Sequence, residues 1–252
     1  NATPVTCGLY LRFYGAEDRL ERVAGPCALF GPGEAQEFVW RIPDTGGAPI
    51  AEIGVEISSV KRADGVVYLD YLTWEGAPDV TLARPAHTGA MWQRAWVNGV
   101  DQLQHWGETY RLIQNEGVGL LMQGTREWTD YRVTADVTPH LVKSAGIAAR
   151  VQGMRRYYAL LLCRDAVAAP SKIRLVKVLH TPEVLAEADL PWEFGATHEL
   201  SLEVAGGTLR AWVDGEALFT VTDAQPFTGG AVALVCEEGR TATHVVRVQP
   251  AG

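Results

Sequence analysis

Residues 198–215 read HELSLEVAGGTLRAWVDG. Leu200, Leu202 and Val204 alternate with Ser201 and Glu203, which gives a strand one apolar and one polar face. Gly206-Gly207 and Asp214-Gly215 are dipeptides that suit two-residue primed turns, so the stretch reads as antiparallel hairpins. The same alternation appears upstream. Tyr131, Val133, Ala135 and Val137 alternate with Arg132, Thr134 and Asp136, and Ile147, Ala149 and Val151 with Ala148, Arg150 and Gln152. Asp64-Gly65 and Asn98-Gly99 are further hairpin signals. The string AWVNG at 95–99 recurs as AWVDG at 211–215, which is too short for a repeat and reads as a shared strand-to-turn solution.

The first part of the chain carries shorter runs of the same kind: TCGLYLRFY (6–14), QEFVWRI (36–42), IAEIGVEIS (50–58) and VVYLDYLTW (66–74). Pro- and Gly-rich breaks at 31–34, 44–49 and 75–78 separate them. PDVTLARPAHTGA (78–90) reads as a closing strand and a linker, which places a domain boundary near His87. Helix signals are thin. AEDRLERV (16–23) could form two turns, and no longer run carries a helical apolar stripe. A doubly wound α/β fold needs a helix between successive strands, so the chain is expected to be all-β: two antiparallel β-sandwiches, over 1–86 and 87–252.

Composition agrees. Of 252 residues, 47% are hydrophobic and 21% charged, enough apolar material for a packed core and too little charge for a disordered chain. No apolar run approaches the roughly 20 residues a membrane-spanning helix needs. The chain starts at Asn1 without methionine or a signal-like block, and reads as a processed or excised piece. The formal charge is -8, opposite to that of a typical nucleic-acid binder. It is unevenly spread: 126–177 carries ten basic against four acidic residues, and 178–252 three against eleven. This asymmetry reads as neighbouring strands pairing their exposed faces, the alternative being an anion or acidic-sugar site on the basic stretch. Of the four cysteines, none lies in a C-x-x-C pair. Cys163 and Cys236 sit in apolar runs, and Cys7 and Cys27 could pair if their strands are neighbours. Asn1-Ala2-Thr3 matches a glycosylation sequon and reads as a chance match at a cut terminus.

The sequence holds no G-x-S-x-G elbow, P-loop, H-E-x-x-H or EF-hand loop, and its six histidines lack metal-ligand spacing. Glycoside hydrolysis needs two carboxyl groups about 5–10 Å apart. Glu187-Ala188-Asp189 is the only E-x-D run and lacks a third same-face carboxylate, while Glu237 and Glu238 are adjacent and point opposite ways on a regular strand. Aromatics are the positive signal, with eight Trp and eight Tyr. Sugar rings stack on flat side chains, and their hydroxyls suit multidentate partners such as Arg and Gln. Trp92, Arg94 and Trp96 share one face, and Arg132, Arg150, Gln152 and Tyr158 join them as candidate ligand-binding residues on a concave sheet of the second domain, with Trp92, Trp96, Arg150 and Tyr158 expected to lie exposed in one groove. Trp40 and Tyr68 read as core.

The blocks WTDYRVTADV (128–137), AGIAARV (145–151), YYALLL (157–162), 198–215 and TGGAVALV (228–235) resemble concanavalin A-like jelly-roll domains of the laminin-G and glucanase-like type. PIAEIGVEIS (49–58) with DGVVYLDYLTW (64–74) resembles the last strands of a galactose-binding-like β-sandwich. The whole is similar to the non-catalytic region that follows the helical domain of some bacterial ADP-ribosylglycohydrolase-family proteins; that domain and its acidic metal motifs are absent here. The resemblance implies a glycan-binding accessory region, with an oligo- or polysaccharide as partner, neither nucleic acid nor membrane, and a covalently attached catalytic domain outside this chain. It implies no cofactor; structural calcium is common in such sandwiches, yet no acidic loop marks a site. The 3-keto-disaccharide hydrolases use the same jelly roll, so a glycan-cleaving enzyme with cross-strand carboxylates is one alternative and a structural or protein-binding module another. Secreted and cytoplasmic locations are both compatible.

Overall fold

The computed structural model describes residues 3–45, 47–84, 89–104, 109–164 and 169–252. It divides into two units, one of residues 1–73 with 85–95 and one of 74–84 with 96–252. As expected, the architecture is all-β with antiparallel sheets.

The first unit holds one three-stranded sheet in the order β2-β1-β3, from β1 (Val5–Tyr14), β2 (Leu20–Phe30) and β3 (Ile50–Ser58). Central β1 buries Val5, Cys7 and Leu11. Gly8 pairs with Cys27 and Tyr10 with Ala24, so Gly25 and Pro26 lie together opposite Leu9 as a bulge. An edge strand tolerates Pro at such a place because no ladder partner needs its missing N–H. The ring of Trp40 lies on Gly25, where an added Cβ would sit 2.8 Å from ring carbons. Cys7 pairs with Ala28 and Cys27 with Gly8, so the two cysteines occupy neighbouring strands but opposite faces. None of the four cysteines is in a disulfide.

Several expectations for this part change. Only Ala16–Asp18 of the expected helix forms, as a single 3-10 turn, and the chain then enters β2. Residues 36–42 and 66–74 pair with no strand, and Tyr68 and Leu69 are 86% and 66% exposed. Alternation says which face of a strand is apolar; it does not supply the neighbour that makes the strand. The described residues of this unit thus form a single sheet where a sandwich was expected. Val80–Ala83, expected to close the first domain, pairs instead with a strand of the second unit.

That second unit is built from β4 (Val80–Ala83), β5 (Val97–Gly99), β6 (Gln102–Gln104), β7 (Tyr110–Gln123), β8 (Tyr131–Gly153), β9 (Arg156–Cys163), β10 (Lys172–Leu179), β11 (Thr181–Asp189), β12 (His198–Ala205), β13 (Thr208–Val213), β14 (Glu216–Thr222), β15 (Ala231–Thr243) and β16 (Val245–Pro250). Strand β8 is 23 residues long and serves two sheets. Its first third pairs with β12 and β16, giving the order β4-β16-β8-β12-β13-β14. Its remainder pairs with β15 and β9, giving a sheet that runs from β7 through β15, β8, β9 and β10 to β11, with β5 and β6 on β7.

Tyr131, Val133, Ala135, Leu200, Leu202, Val204, Leu209 and Val248 are buried on one face of the first sheet. Ile147, Leu160, Leu162, Ile173, Leu175 and Leu234 are buried on one face of the second. The other face of the second sheet is also withdrawn from water, with Leu120, Ala148, Ala159, Val176, Ala233 and Val235 at most 4% exposed. Consequently the expected apolar and polar alternation over 147–151 is absent, and all five residues are buried. Ala148 pairs with Ala233 and Val151 with Ala231, so Ala149 and Arg150 both face Val232, and Arg150 adopts φ 47 at this bulge.

Two of the four hairpin signals form the expected turns. Gly206-Gly207 joins β12 to β13, and Asp214-Gly215 joins β13 to β14 with φ 51 and 81, as a type I′ turn requires. Asn98-Gly99 lies inside β5 instead, and Asp64-Gly65 has no strand on either side. Accordingly the two AWV strings adopt different structures. Among the described residues no helix is long and apolar enough to span a membrane, and no group of three or more His, Cys, Asp or Glu could hold a metal.

Candidate functional site

Most of the residues proposed from sequence are turned inward. Trp92 and Arg94 lie on a 3-10 turn, Met91–Ala95, in the first unit, and Trp96 belongs to the second. With three residues per turn, positions two apart do not share a face, so the strand-like spacing misleads. Trp92 is buried, Arg94 is exposed, and Trp96 is buried with its ring 4.8 Å from that of Tyr110.

Tyr158 is fully buried. Its hydroxyl donates to Asp223 at 2.6 Å and accepts the Phe227 N–H at 3.1 Å. Burial, then the hydrogen bond to Asp223, pushes the phenol well above its ordinary value. Arg150, 2% exposed, donates from Nε to the Thr129 carbonyl at 3.0 Å and from its terminal nitrogens to the Gly206 carbonyl at 2.7 Å, the Phe227 carbonyl and Asp130 at 2.8 Å. Gln152 donates to the Gly229 carbonyl at 2.6 Å. Trp96, Arg150 and Tyr158 are therefore not exposed as expected, and Trp92, in the other unit, is buried as well. Arg150, Gln152 and Tyr158 instead fasten the segment from Asp223 to Gly230 onto the end of the second sheet.

Arg132 is different. Tyr131 and Val133 point into the core, so Arg132 stands on the outer face of the first sheet. Along one row across that sheet, Gln249, Arg132, Glu203, Arg210 and Thr220 are direct neighbours. Arg132 donates to one Glu203 oxygen from Nε at 3.0 Å and from a terminal nitrogen at 2.6 Å, and Arg210 donates to the other oxygen at 2.6 Å. The Arg132 guanidinium lies 4.2 Å from the centre of the Trp212 ring, a cation–π contact. Beside this group Thr134 and Ser201 share a 2.7 Å hydroxyl contact.

Exposure decides what this cluster offers. The Glu203 side chain is 1% exposed, whereas Arg132 and Arg210 are 39% and 42% exposed. Burial alone would raise the Glu203 carboxyl, but the hydrogen bonds from Arg132 and Arg210 outweigh it and hold the group below its ordinary value. The result is an ionised carboxylate as a floor, with two guanidiniums and an indole turned partly to water.

Glu203, Arg210 and Trp212 were not among the candidates read from sequence. The signal was present: the alternation over 200–204 points Glu203 outward, and a two-residue turn at Gly206-Gly207 brings Arg210 opposite it. The regional charge asymmetry resolves in the same way, as pairing between strands. Arg132 meets Glu203, Lys143 meets Glu237, Lys172 and Arg174 meet Glu187, and Lys177 meets Asp223.

No protein-family model matches the chain, and no curated protein does. Solved structures do. A carbohydrate-binding module, CBM66 from Bacillus subtilis, superposes with TM-score 0.55 at 14% identity, over 62% of this chain and 95% of that one. A Bacillus subtilis protein of unknown function with a galectin-like fold gives 0.52 at 14% identity, over 70% and 97%. The carbohydrate recognition domain of Emp47p gives 0.51 at 10% identity, over 68% and 95%. These likenesses show a shared β-sandwich fold; at such identities they show the fold alone.

Proposed function

We propose that the chain is a non-catalytic carbohydrate-binding module whose ligand lies on the outer face of the first sheet of the second unit, over Arg132, Trp212 and Arg210. One observation carries the reading: a guanidinium stacked on a partly exposed indole beside a second guanidinium, both oriented by the buried Glu203. Flat rings and forked donors are what a sugar face and its oxygens call for. The fold is shared with a module and a domain whose names record carbohydrate binding, which supports the reading. Cleavage is not favoured here, because the single carboxylate of the cluster is ionised and held between two cations, leaving no acid–base pair for glycoside hydrolysis.

Affinity electrophoresis through gels containing single soluble polysaccharides, neutral and acidic, tests the proposal. At least one polymer should retard the protein, and Trp212→Ala should weaken that binding about tenfold, as expected when an aromatic or cation–π contact worth roughly 1–2 kcal/mol is removed. Unaltered mobility across the whole panel, or full retention by Trp212→Ala, refutes it.

A further inference from the structure

Resting on this carbohydrate-binding reading, we propose that the ligand is an anionic glycan, recognised through a sugar carboxylate or sulfate. The argument is an inventory of donors and acceptors. Each guanidinium carries five N–H donors and no acceptor. Arg132 directs two of its donors to Glu203 and Arg210 directs one, and both heads keep a substantial solvent-facing part. Glu203, the charged acceptor between the two arginines, also takes a hydrogen bond from the Gly252 backbone and is turned down beneath the arginines with almost no exposure. The nearest hydroxyls, Thr134 and Ser201, are engaged with each other.

A neutral sugar hydroxyl satisfies itself best against a partner that both gives and accepts, as a carboxylate–amide pair does. This surface chiefly gives. Two guanidiniums over one carboxylate leave one positive charge at this row, and Arg247, exposed and opposite Thr134, adds another in the next; the carboxylates of the face, Asp136 and Glu199, stand one row further on, where Asp136 accepts the His244 and Val245 N–H groups. A planar carboxylate or a sulfate group matches forked donors and that residual charge. The part of Trp212 that Arg132 leaves open to water would lie against the sugar ring that carries the anionic group.

The test uses the intact chain and matched polymers. Polygalacturonate and hyaluronate are compared with their carboxyl-reduced forms, and a sulfated dextran with plain dextran, by isothermal titration at low and moderate salt. The expected result is binding to a carboxylated or a sulfated polymer, at least tenfold weaker for the uncharged counterpart, and falling as salt rises. The two arms identify which anionic group is taken. Equal affinity for charged and uncharged forms overturns this inference while leaving a neutral-glycan module standing; absence of binding to all of them and to the neutral panel overturns both. Arg210→Gln should lose about tenfold. Because that variant leaves Glu203 short of a partner and could fold poorly, Arg247→Gln provides a second arm. It removes one exposed positive charge of the same face without touching Glu203, so affinity for the anionic polymer should fall about threefold while that for the uncharged counterpart stays the same. Unchanged affinity for the anionic polymer in a folded Arg247→Gln variant contradicts recognition of an anion at this place.

Discussion

Lys177 and Asp223 form a 2.6 Å ion pair in which the side chains are 11% and 10% exposed, and the same carboxylate accepts the hydroxyl of fully buried Tyr158. Two withdrawn charges and a phenol thus meet at one carboxyl group. The arrangement secures the loop after β14 over the end of β9 and β10. Removing one member strands the others away from water, and that asymmetry sets the size of the effect.

Asp223→Asn is expected to destabilise the protein by about 3–5 kcal/mol, the range for breaking a withdrawn ion pair. Tyr158→Phe, which leaves the ion pair in place, should cost about 1–3 kcal/mol. Chemical denaturation read by tryptophan fluorescence compares the two. Equal losses would mean that the ion pair contributes nothing of its own.

Acid should unfold the protein through the same kind of group. Burial alone would raise the carboxyls of Asp223 and Glu203, but hydrogen bonds from Lys177 and Tyr158, and from Arg132 and Arg210, bring both below their ordinary values. A group with a lowered native value contributes stability above its unfolded value, and that contribution is lost as pH falls through the native one. The melting temperature should therefore hold across neutral pH and drop below the ordinary carboxylate range, near pH 4 and under. In Glu203→Gln the drop should be shallower; an identical acid profile would dissociate Glu203 from it.

Gly146→Ala should be among the most damaging single-methyl additions. A Cβ there would sit 2.0 Å from the Leu160 carbonyl oxygen of the neighbouring strand, which is backbone and cannot swing aside. A loss of about 3 kcal/mol or more, or failure to accumulate as soluble protein, is expected, as for other overpacked cores. A variant melting within a degree or two of the parent would contradict the strand spacing described.

Thiol reagents should distinguish the cysteines. Cys27 is exposed, whereas Cys7, Cys163 and Cys236 are buried, and burial holds the Cys236 thiol up to about 12. Native protein should take up one equivalent of an aromatic disulfide reagent quickly, and denatured protein four. Mild oxidation should not join Cys7 to Cys27, whose side chains leave the sheet in opposite directions. Mass spectrometry under non-reducing conditions checks this.

The all-β class and the hairpins at Gly206-Gly207 and Asp214-Gly215 were legible because alternation and turn chemistry are local properties. Other features depended on partners far away in the chain. VVYLDYLTW has the composition of a strand and finds no strand to pair with, while β2, interrupted by Gly25 and Pro26, pairs on both sides of that bulge because β1 lies beside it. The same limit applied to the site. Arg150 looked like an outward guanidinium until the bulge at Ala149 and Arg150 shifted the phase of β8 and turned it inward. Arg132, on an uninterrupted stretch, stayed outward as its spacing required.

Because β8 runs unbroken through both layers, the layers share a spine and cannot shear past each other without bending that one strand. Among the described residues β8 alone belongs to both sheets, so a proteolytic nick between Val137 and Ala145 would sever that shared spine and should loosen both layers at once.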